Sequence, residues 1–229
     1  MTEGHHDIIQ ISLDESNPNI VAIKFDPQVQ SDMVLDLVHC YRQVFAEEPW
    51  HEWKKCPKCG KKWGIDQINE LAEMKFMHCG VLVEDYWPIA GVVEDVNHEI
   101  GADASAWLLK DGDQVIGFIW GYMMPLRNLQ TKIRMMIHEE VQENHGSHYL
   151  VAYLDDMGLS AEYRGRHYAG RLYDLWLNDM KKFGAKLIVT RTQGDPEPTV
   201  LYHWFLHKLH YRLLKRYPDS SNVIMTKEI

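Results

Sequence analysis

Apolar residues along the chain recur with the spacings of strands and helices. A β-branched, alternating run at residues 20–25 predicts the first strand. Apolar side chains then recur at helical spacing as far as Pro49 and predict one amphipathic helix; they are Val34, Leu37, Val38, Tyr41 and Phe45. Residues 1–18 mix charged and polar side chains, and we expect a mobile arm there, with a short strand at residues 8–13.

Later segments predict a hairpin, further helices and further strands. Asp111 and Gly112 join residues 104–110 to residues 114–122, and Asp-Gly tolerates the positive φ of a tight hairpin turn. Helices are predicted in part of residues 65–77, from Pro125 to just before Gly146, and at about residues 169–183 and 199–209. Strands are predicted at residues 149–154, 187–192, 211–216 and 223–227. This order predicts a mixed α+β fold with a central, largely antiparallel sheet.

Composition narrows the function classes. A chain of 229 residues with 45% hydrophobic content can bury a large core, and we expect one globular unit over residues 19–229. The 24 Lys and Arg against 33 Asp and Glu give a formal net charge of -9, which argues against nucleic-acid and anionic-membrane partners and suits a small cationic substrate. We see neither a secretory signal nor a membrane-spanning apolar run, and expect a cytoplasmic protein.

Residues 162–172, EYRGRHYAGRL, concentrate three arginines and two glycines between a predicted strand and a predicted helix. The first amides of a helix have no intrahelical partner, and the helix dipole adds partial positive charge there. Glycines let the backbone approach a phosphate closely, and Arg164, Arg166 and Arg171 can add charge-assisted hydrogen bonds. The segment therefore predicts an anion-binding turn; the alternative is an ordinary surface turn with solvated arginines.

Residues 153–176 resemble the acyl-coenzyme-A binding motif of the GNAT superfamily of N-acetyltransferases. That motif is Arg or Gln, two residues, Gly, one residue, then Gly or Ala. Here it is Arg164, Gly165, Arg166, His167, Tyr168, Ala169, and Gly170 follows. His167 departs from the usual central glycine. If the position is left-handed, His costs roughly 1 to 2 kcal/mol there that Gly does not, unless Gly170 relieves the crowding.

The resemblance extends over residues 20–229 apart from the Cys-bearing insertion, through YRQVFAEEPWHEW, VIGFIWGY and HYRLLKRY. It implies a GNAT-like fold and transfer of an acetyl group from acetyl-CoA to a primary amine, by direct attack in a ternary complex. It also implies that Met157, Gly158 and Leu159 present backbone groups to the pantetheine arm and the oxyanion. The glycine among them fits close approach by the cofactor or marks a bulge.

Two side chains are candidates for proton transfer. In polyamine acetyltransferases, which this stretch resembles, the first of two acidic residues after the strand is the proposed base, and it corresponds to Asp155; Asp156 faces the other way. The family's tyrosine acid corresponds to Leu206, so Tyr202, one helical turn earlier, is the candidate, and His203 and His207 are the others. The alternatives are a structural carboxylate and a core tyrosine.

Residues 51–80 form a Cys-bearing insertion. CPKCG, with Cys56 and Cys59, has the spacing of a zinc knuckle, and Cys79 in HCG supplies a third thiolate. His78 or His51 would complete a closed structural zinc site; a redox CxxC and a relic without metal are the alternatives. The remaining thiol, Cys40, is expected in the core, and four cysteines used in this way suit a reducing compartment.

Three function classes stay open at this stage. The first is an N-acetyltransferase acting on a small, cationic amine, favoured by the acidic residues Glu47, Glu48 and Glu52 near the expected acceptor entrance. The second is a zinc-bearing acyl-CoA sensor or interaction module with lost catalysis. The third is a protein or peptide N-acetyltransferase. A homodimer is compatible with all three.

Overall fold

The computed structural model describes residues 8–141, 149–194 and 198–229. Its helices are α1 Val34–Ala46, α2 Ile68–Glu73, α3 Ile89–Glu99, α4 Leu126–Ile133, α5 His138–Val141, α6 Tyr168–Lys182 and α7 Val200–His207. Its strands are β1 Gln10–Ser12, β2 Ile20–Lys24, β3 Lys54–Lys55, β4 Lys62–Trp63, β5 Met77–His78, β6 Val81–Leu82, β7 Glu84–Asp85, β8 Ala104–Asp111, β9 Gln114–Pro125, β10 Leu150–Leu159, β11 Leu187–Gln193, β12 Arg212–Arg216 and β13 Asn222–Glu228.

The largest sheet has eight strands in the order β1-β2-β8-β9-β10-β11-β13-β12. Antiparallel ladders join β1 to β2, β2 to β8, β11 to β13 and β12 to β13, whereas β10 and β11 are parallel. The predicted α+β fold with a largely antiparallel central sheet is therefore confirmed. β1 lies inside the segment expected to be an arm, and it pairs with β2 from Gln10 to Ser12.

The chain divides into two compact units, and strands β8, β9 and β10 and helix α6 run through both. The first unit contains the described residues up to Gly101 together with residues 106–119 and 157–173. In it α1 packs against α3. Aromatic rings from α1, β9 and the segment before α3 contact one another there, with centroids 4.6 to 6.3 Å apart; they are Tyr41, Phe45, Trp87 and Phe118.

The second unit contains the described residues of 102–105, 120–156 and 174–229. One face of α4 is fully apolar because Leu126, Leu129 and Ile133 recur at helical spacing, and all three are buried. This face packs against strands β10, β11 and β13 in a core that includes Val151, Tyr153, Val189 and Ile224.

The single helix predicted from Pro125 to near Gly146 is wrong within the described residues. Arg134 ends α4 in the left-handed region, with φ 52°. The backbone amide of Met135 donates to the Gln130 carbonyl at 3.1 Å, and the amide of Ile137 donates to the Gln130 side chain at 2.9 Å. One glutamine therefore closes α4 and redirects the chain, and α5 begins at His138. Residues 142–148 lie outside the described residues.

The insertion and the residues that follow it, up to Asp85, fold as two small sheets with a core of their own. β4, β3 and β7 form a three-stranded sheet, and β5 and β6 form a hairpin. Cys56, Trp63 and Leu71 are buried together between them. Lys54 and Arg42 both bind the Asp85 carboxylate, at 2.5 and 3.1 Å, so β3, β7 and α1 are held by one acidic side chain.

Candidate active site

β10 carries two groups of predicted site residues on one strand. Asp155 lies past its middle, and residues 157–159 form its end. The parallel ladder to β11 covers residues 152–154 and ends there. At that point the hydroxyl of Thr190 donates to the Leu154 carbonyl at 3.0 Å. β10 therefore continues beyond its parallel ladder through Asp155 and residues 157–159.

The turn between β10 and α6 contains two left-handed residues. Gly165 has φ 78° and His167 has φ 64°. Glycine reaches this region without steric cost, whereas a side chain crowds the following carbonyl. The departure from the family pattern thus falls on a position that needs the left-handed conformation. Gly170 does not relieve it, because Gly170 lies inside α6 without a positive φ.

The start of α6 presents backbone amides. The Arg171 amide donates to the His167 carbonyl at 3.2 Å and closes the first turn. The amides of Tyr168, Ala169 and Gly170 precede it, and amides in that position have no acceptor inside the helix. Because the dipole of a helix is positive at this end, these amides can receive an anion.

Arg164 serves the turn itself. Its Nε donates to the Leu159 carbonyl at 3.0 Å, and its guanidinium forms an ion pair with Glu47 at 3.1 Å. Arg166 is exposed and lies 5.6 Å from the centroid of the Tyr163 ring. Arg164 therefore ties the turn to the end of β10 and to the residue that follows α1, while Arg166 stays on the surface.

The third arginine and a tyrosine hold the segment that follows β1. The Arg171 guanidinium donates to the Leu13 carbonyl, and the Tyr168 hydroxyl donates to the Asp14 carboxylate at 2.6 Å. Hydrogen bonds from Ser16 and then from Tyr168 lower the pKa of Asp14 to about 2. Arg171, like Arg164, thus has a partner within the protein.

Gly158 faces the protein interior on the side where a side chain would project. A Cβ at this position would lie 2.6 Å from the Phe118 ring and 2.7 Å from Val44. Leu159, next along the strand, is buried. The absence of a side chain at Gly158 is therefore required by α1 and β9. The backbone groups of Met157, Gly158 and Leu159 stay candidates for contact with a ligand.

Asp155 lies in a small polar cluster of the second unit. The Tyr122 hydroxyl donates to Asp155 Oδ2 at 2.7 Å, and Lys132 Nζ lies 2.8 Å from the same oxygen. The Asp155 side chain is 10% exposed and that of Lys132 31%. Tyr122 comes from β9 and Lys132 from the last turn of α4. No pattern in the sequence connects Lys132 with Asp155.

Aromatic rings and a second cation surround this cluster. Burial, and next the charge of Asp155, raise the pKa of Tyr153 well above its usual value. Burial lowers the pKa of Arg191, but a hydrogen bond to Tyr217 and the charge of Asp155 oppose burial, and the pKa is raised. The Tyr217 hydroxyl donates to the Ile133 carbonyl at the end of α4. Tyr153 therefore stays a neutral phenol and Arg191 a cation at every physiological pH.

Tyr202 lies in the first turn of α7. Its amide donates to Thr199 Oγ1 at 3.2 Å, so Thr199 caps the helix. Tyr202 is half-buried, and a Cβ on Gly194 would lie 3.2 Å from its ring, whereas Phe205 is the buried residue of the helix. Tyr202 is thus not a fully buried core residue.

The other candidates on α7 differ in exposure. His203 and His207 are both exposed, and their rings stack with centroids 5.8 Å apart. Leu206, which stands where the family's tyrosine is expected, is half-buried. Tyr202 is therefore the half-buried hydroxyl among the candidates on this helix.

Four predicted metal ligands come together in the insertion. The ligand atoms of Cys56, Cys59, His78 and Cys79 lie within 4.8 Å of one another. His78 Nδ1 is 3.6 Å from Cys59 Sγ and 3.2 Å from Cys79 Sγ. Cys56 follows β3, and His78 ends β5. Three sulfurs and one imidazole at this separation fit a tetrahedral zinc ion.

Backbone conformation explains how neighbouring residues both face this cluster. Cys79 has φ 52° and Gly80 has φ 77°, so the chain reverses direction directly after His78. Burial raises the pKa of the Cys56 thiol, but hydrogen bonds from His78 and from the amides of Cys59 and Lys58 outweigh it and lower the pKa to about 6. A thiol of this kind is largely thiolate at neutral pH, which is the form that binds metal.

His51, the alternative fourth ligand, lies elsewhere. Its Nδ1 is 3.5 Å from the Asp66 carboxylate and is absent from the group of four ligand atoms. Gly64 is tight against it, since a Cβ there would lie 2.5 Å from that nitrogen. Of the two histidines, the geometry favours His78.

The sequence profile of the acetyltransferase (GNAT) family matches residues 65–203, more than half of the chain. This chain belongs to the GNAT acetyltransferase family. The expected family and enzyme class, an acyltransferase, are thereby confirmed. The matched region contains β10, the left-handed turn and the start of α6, so the motif that carried the resemblance lies inside it.

Solved structures share the fold of this GNAT acetyltransferase at low sequence identity. PaiA N-acetyltransferase from Thermoplasma acidophilum, solved with coenzyme A, is 12% identical with a TM-score of 0.52, covering 92% of this chain and 99% of that one. An acetyltransferase from Streptococcus agalactiae is 13% identical with a TM-score of 0.53, and the shares covered are again 92% and 99%. Aminoglycoside 6'-acetyltransferase type Ii is 14% identical with a TM-score of 0.51, over 90% and 96%.

A search for curated relatives and the apolar character of the helices add two further findings. No curated protein matches the sequence of this GNAT acetyltransferase. Among its described residues, none of the helices has the length and apolar character needed to cross a bilayer. The solved structures therefore show a shared fold, and the sequence profile shows the family.

The acidic residues after α1 of this GNAT acetyltransferase have cationic partners. Glu47 pairs with Arg164 at 3.1 Å. Glu52 accepts from Lys62 at 2.7 Å and from the Trp87 indole at 3.0 Å. These two carboxylates are thus neutralised within the fold, which weakens their interpretation as an attraction for a cationic acceptor.

Proposed function

We propose that this GNAT acetyltransferase transfers the acetyl group of acetyl-CoA to a primary amine of a small, cationic molecule, by direct attack within a ternary complex. The single observation that carries the proposal is the order along β10 and its turn. A carboxylate, Asp155, is followed by a strand end, a left-handed turn and a helix start with amides available to an anion. That order supplies a base and a diphosphate seat on one continuous stretch of chain.

The residues expected to hold acetyl-CoA fall into two groups. Backbone amides from Gly165 to Gly170 would receive the diphosphate, with Arg166 adding exposed positive charge. Backbone groups of Met157, Gly158 and Leu159 would bind the pantetheine arm. Acetyl-CoA supplies an activated acyl group and a thiolate that leaves. Arg164 keeps the turn in place through Glu47 and the Leu159 carbonyl, which is a positioning role.

Proton transfer would fall to Asp155 and Tyr202. An alkyl ammonium must lose a proton before its nitrogen can attack, and Asp155 would accept it. Tyr202 would donate a proton to the departing thiolate; the support is its half-buried hydroxyl on α7, one helical turn before the position the family uses. Asp156 has no assigned step.

Thiol release from acetyl-CoA tests this proposal. Purified protein is offered polyamines, aminoglycosides and peptide N-termini, and free coenzyme A is measured. We expect release with small cationic amines, and a loss of about 100-fold or more in kcat for D155N against a small effect of the matched D156N. Y202F should lose roughly tenfold or more. Release that is equally fast for D155N and wild type overturns the base assignment.

A second candidate is an acyl-CoA sensor without turnover. The observations that favour it are His167 in a position suited to glycine and a base that already holds an ion pair with Lys132. Saturable coenzyme A binding with no thiol release on any acceptor would support the sensor. Release only on peptide N-termini would support a third candidate, a peptide N-acetyltransferase.

We further propose a structural zinc ion held by Cys56, Cys59, His78 and Cys79. Four protein ligands leave no open position, so the metal would brace the insertion and take no part in chemistry. Chelation should lower the melting temperature and leave coenzyme A binding in place. Metal content by native mass spectrometry should fall in C59S and stay unchanged in C40S; zinc retained by C59S contradicts the assignment. Reduced thiolate ligands suit the cytoplasm, which we propose as the compartment.

A further inference from the structure

We propose that Asp155, Tyr122 and Tyr153 form a binding site for a primary alkylammonium group, and that the chain's own Lys132 occupies this site until a cationic acceptor displaces it. The site lies within the second unit, on β9, β10 and α4. Its catalytic meaning rests on the proposed function, whereas ligand binding to it does not.

The contacts of Lys132 define what the site recognises. Its Nζ lies 2.8 Å from Asp155 Oδ2, 5.5 Å from the centroid of the Tyr122 ring and 5.9 Å from that of the Tyr153 ring. One carboxylate and two aromatic rings around one nitrogen are the groups that bind ammonium cations in proteins. Because lysine ends in a four-carbon stem and a primary ammonium, the class of ligand is a primary alkylamine in its charged form.

The carboxylate needs a cation beside it. Asp155 is 10% exposed, and a carboxylate at that depth is unfavourable unless a charge or hydrogen bonds compensate it. Tyr122 supplies a neutral hydrogen bond at 2.7 Å, and Lys132 supplies the adjacent positive charge. A ligand that replaces Lys132 keeps this adjacent charge only if it is itself a cation, so a neutral analogue should bind far more weakly.

Lys132 can leave without unfolding its helix. Its side chain is 31% exposed and stands in the last turn of α4. The helix is fixed by Leu126, Leu129 and Ile133, which are fully buried. The lysine stem can therefore swing toward solvent while α4 stays in place. Lys132 then acts as a specificity-determining residue, because every acceptor competes with it.

Binding of 1,4-diaminobutane, with 1,4-butanediol as the uncharged control, tests the site by calorimetry and by the shift in melting temperature. K132M removes the competing cation and keeps an apolar stem, and K132R keeps a cation. We expect K132M to bind the diamine about tenfold more tightly than wild type, because the diamine no longer has to displace an internal cation from the site. K132R should show no gain, and the diol should bind to none of the variants.

The same titration separates the outcomes. K132M should melt below wild type and recover with the diamine, and K132M/D155N should lose both the tight binding and the recovery. If K132M does not fold, K132Q takes its place. Diamine binding that is no tighter in K132M, or that survives D155N, overturns the site. Tight binding without thiol release would overturn the proposed reaction and leave the ammonium site standing.

Discussion

Single residues in unfavourable backbone conformations shape both candidate sites. His167 and Cys79 are left-handed, with φ 64° and 52°, and each costs roughly 1 to 2 kcal/mol relative to glycine. At Cys79 the conformation lets consecutive residues contribute two ligand atoms to one cluster. At His167 it turns the chain from β10 into α6. Both costs are borne where the chain must change direction within one residue.

The conformation of His167 predicts opposite effects of two substitutions. H167V should lower the free energy of unfolding by about 1 to 2 kcal/mol, because a β-branched side chain is disfavoured at positive φ. H167G should leave the free energy of unfolding unchanged or raise it by up to about 1 kcal/mol, since the steric term is removed and chain entropy offsets part of it. Urea unfolding measures both. Equal loss for the two variants would show that the imidazole, and not the backbone, decides this position.

Cys40 should be the unreactive thiol of the protein. Burial raises its pKa to about 12, so the thiol stays protonated and poorly nucleophilic throughout neutral and mildly alkaline pH and ionises only as the pH approaches that value. In metal-stripped, folded protein, iodoacetamide at pH 8 should modify the exposed Cys59 and Cys79 and leave Cys40 intact. Peptide mass spectrometry with an unfolded control checks this. Modification of Cys40 at the rate seen in the unfolded chain would contradict its burial.

Elements with strong local signals were predictable from the sequence. The Asp111-Gly112 hairpin, α1, α6 with its stop at Gly184, and α7 with its Thr199 cap all lie close to their expected positions. The break between α4 and α5 was not, because it depends on the Gln130 side chain accepting a hydrogen bond from the Ile137 amide, a contact that the apolar spacing does not reveal. α3 was missed although Val92 and Val96 have helical spacing, because few other residues in the segment after the insertion mark a helix.

Part of the candidate site was likewise predictable from the sequence, and part was not. The turn at residues 164–170 was predictable because its motif is contiguous. The partners of its arginines were not: Arg164 binds Glu47, 117 positions away, and Arg171 binds the Leu13 carbonyl, 158 positions away. Contacts between residues so far apart leave no periodic signal in one sequence. Lys132 beside Asp155 is a third contact of this kind.

Helix α6 offers a test that separates folding from cofactor binding. Apart from its chain neighbours and the backbone of α6 itself, no described atom lies within 4 Å of a Cβ placed on Gly170. G170E should therefore fold with equal or greater stability, by roughly 0.5 to 1 kcal/mol, because glycine is a poor helix former and an acidic residue suits the first turn. Its coenzyme A affinity should fall about tenfold or more relative to the neutral match G170Q, since a carboxylate would repel the diphosphate. Calorimetry measures affinity, and thermal unfolding measures stability. Undiminished affinity in G170E would count against the diphosphate seat at α6.

At the scale of the whole molecule, the dominant property is charge. A formal net charge of -9 at pH 7 creates a field that attracts cations over distances comparable to the screening length. The same field disfavours binding of an anionic cofactor such as coenzyme A, which therefore needs a site with local positive charge. The amides at the start of α6 suit the anionic acetyl-CoA, and the negative field of the whole molecule suits a cationic acceptor.

Ionic strength should distinguish acceptors by charge. Raising salt from roughly 0.02 to 0.3 M should lower kcat/KM for a dicationic amine by about threefold or more, because screening weakens long-range attraction. A neutral or zwitterionic amine of similar size should change by less than about twofold. Steady-state thiol release at several salt concentrations measures both. The same salt dependence for the two acceptors would remove the electrostatic argument for a cationic substrate.

The ion pair between Arg164 and Glu47 has a consequence for regulation. Glu47 directly follows α1 and precedes the Cys-bearing insertion by four residues, while Arg164 belongs to the turn. If this pair couples the proposed ligand at the turn to the proposed metal in the insertion, thermodynamic reciprocity requires each to alter the other's affinity by the same factor. Because the pair is partly exposed and worth at most about 1 kcal/mol, that factor is bounded at about fivefold. Removal of the metal would then change the affinity for coenzyme A by at most about fivefold and would not abolish binding.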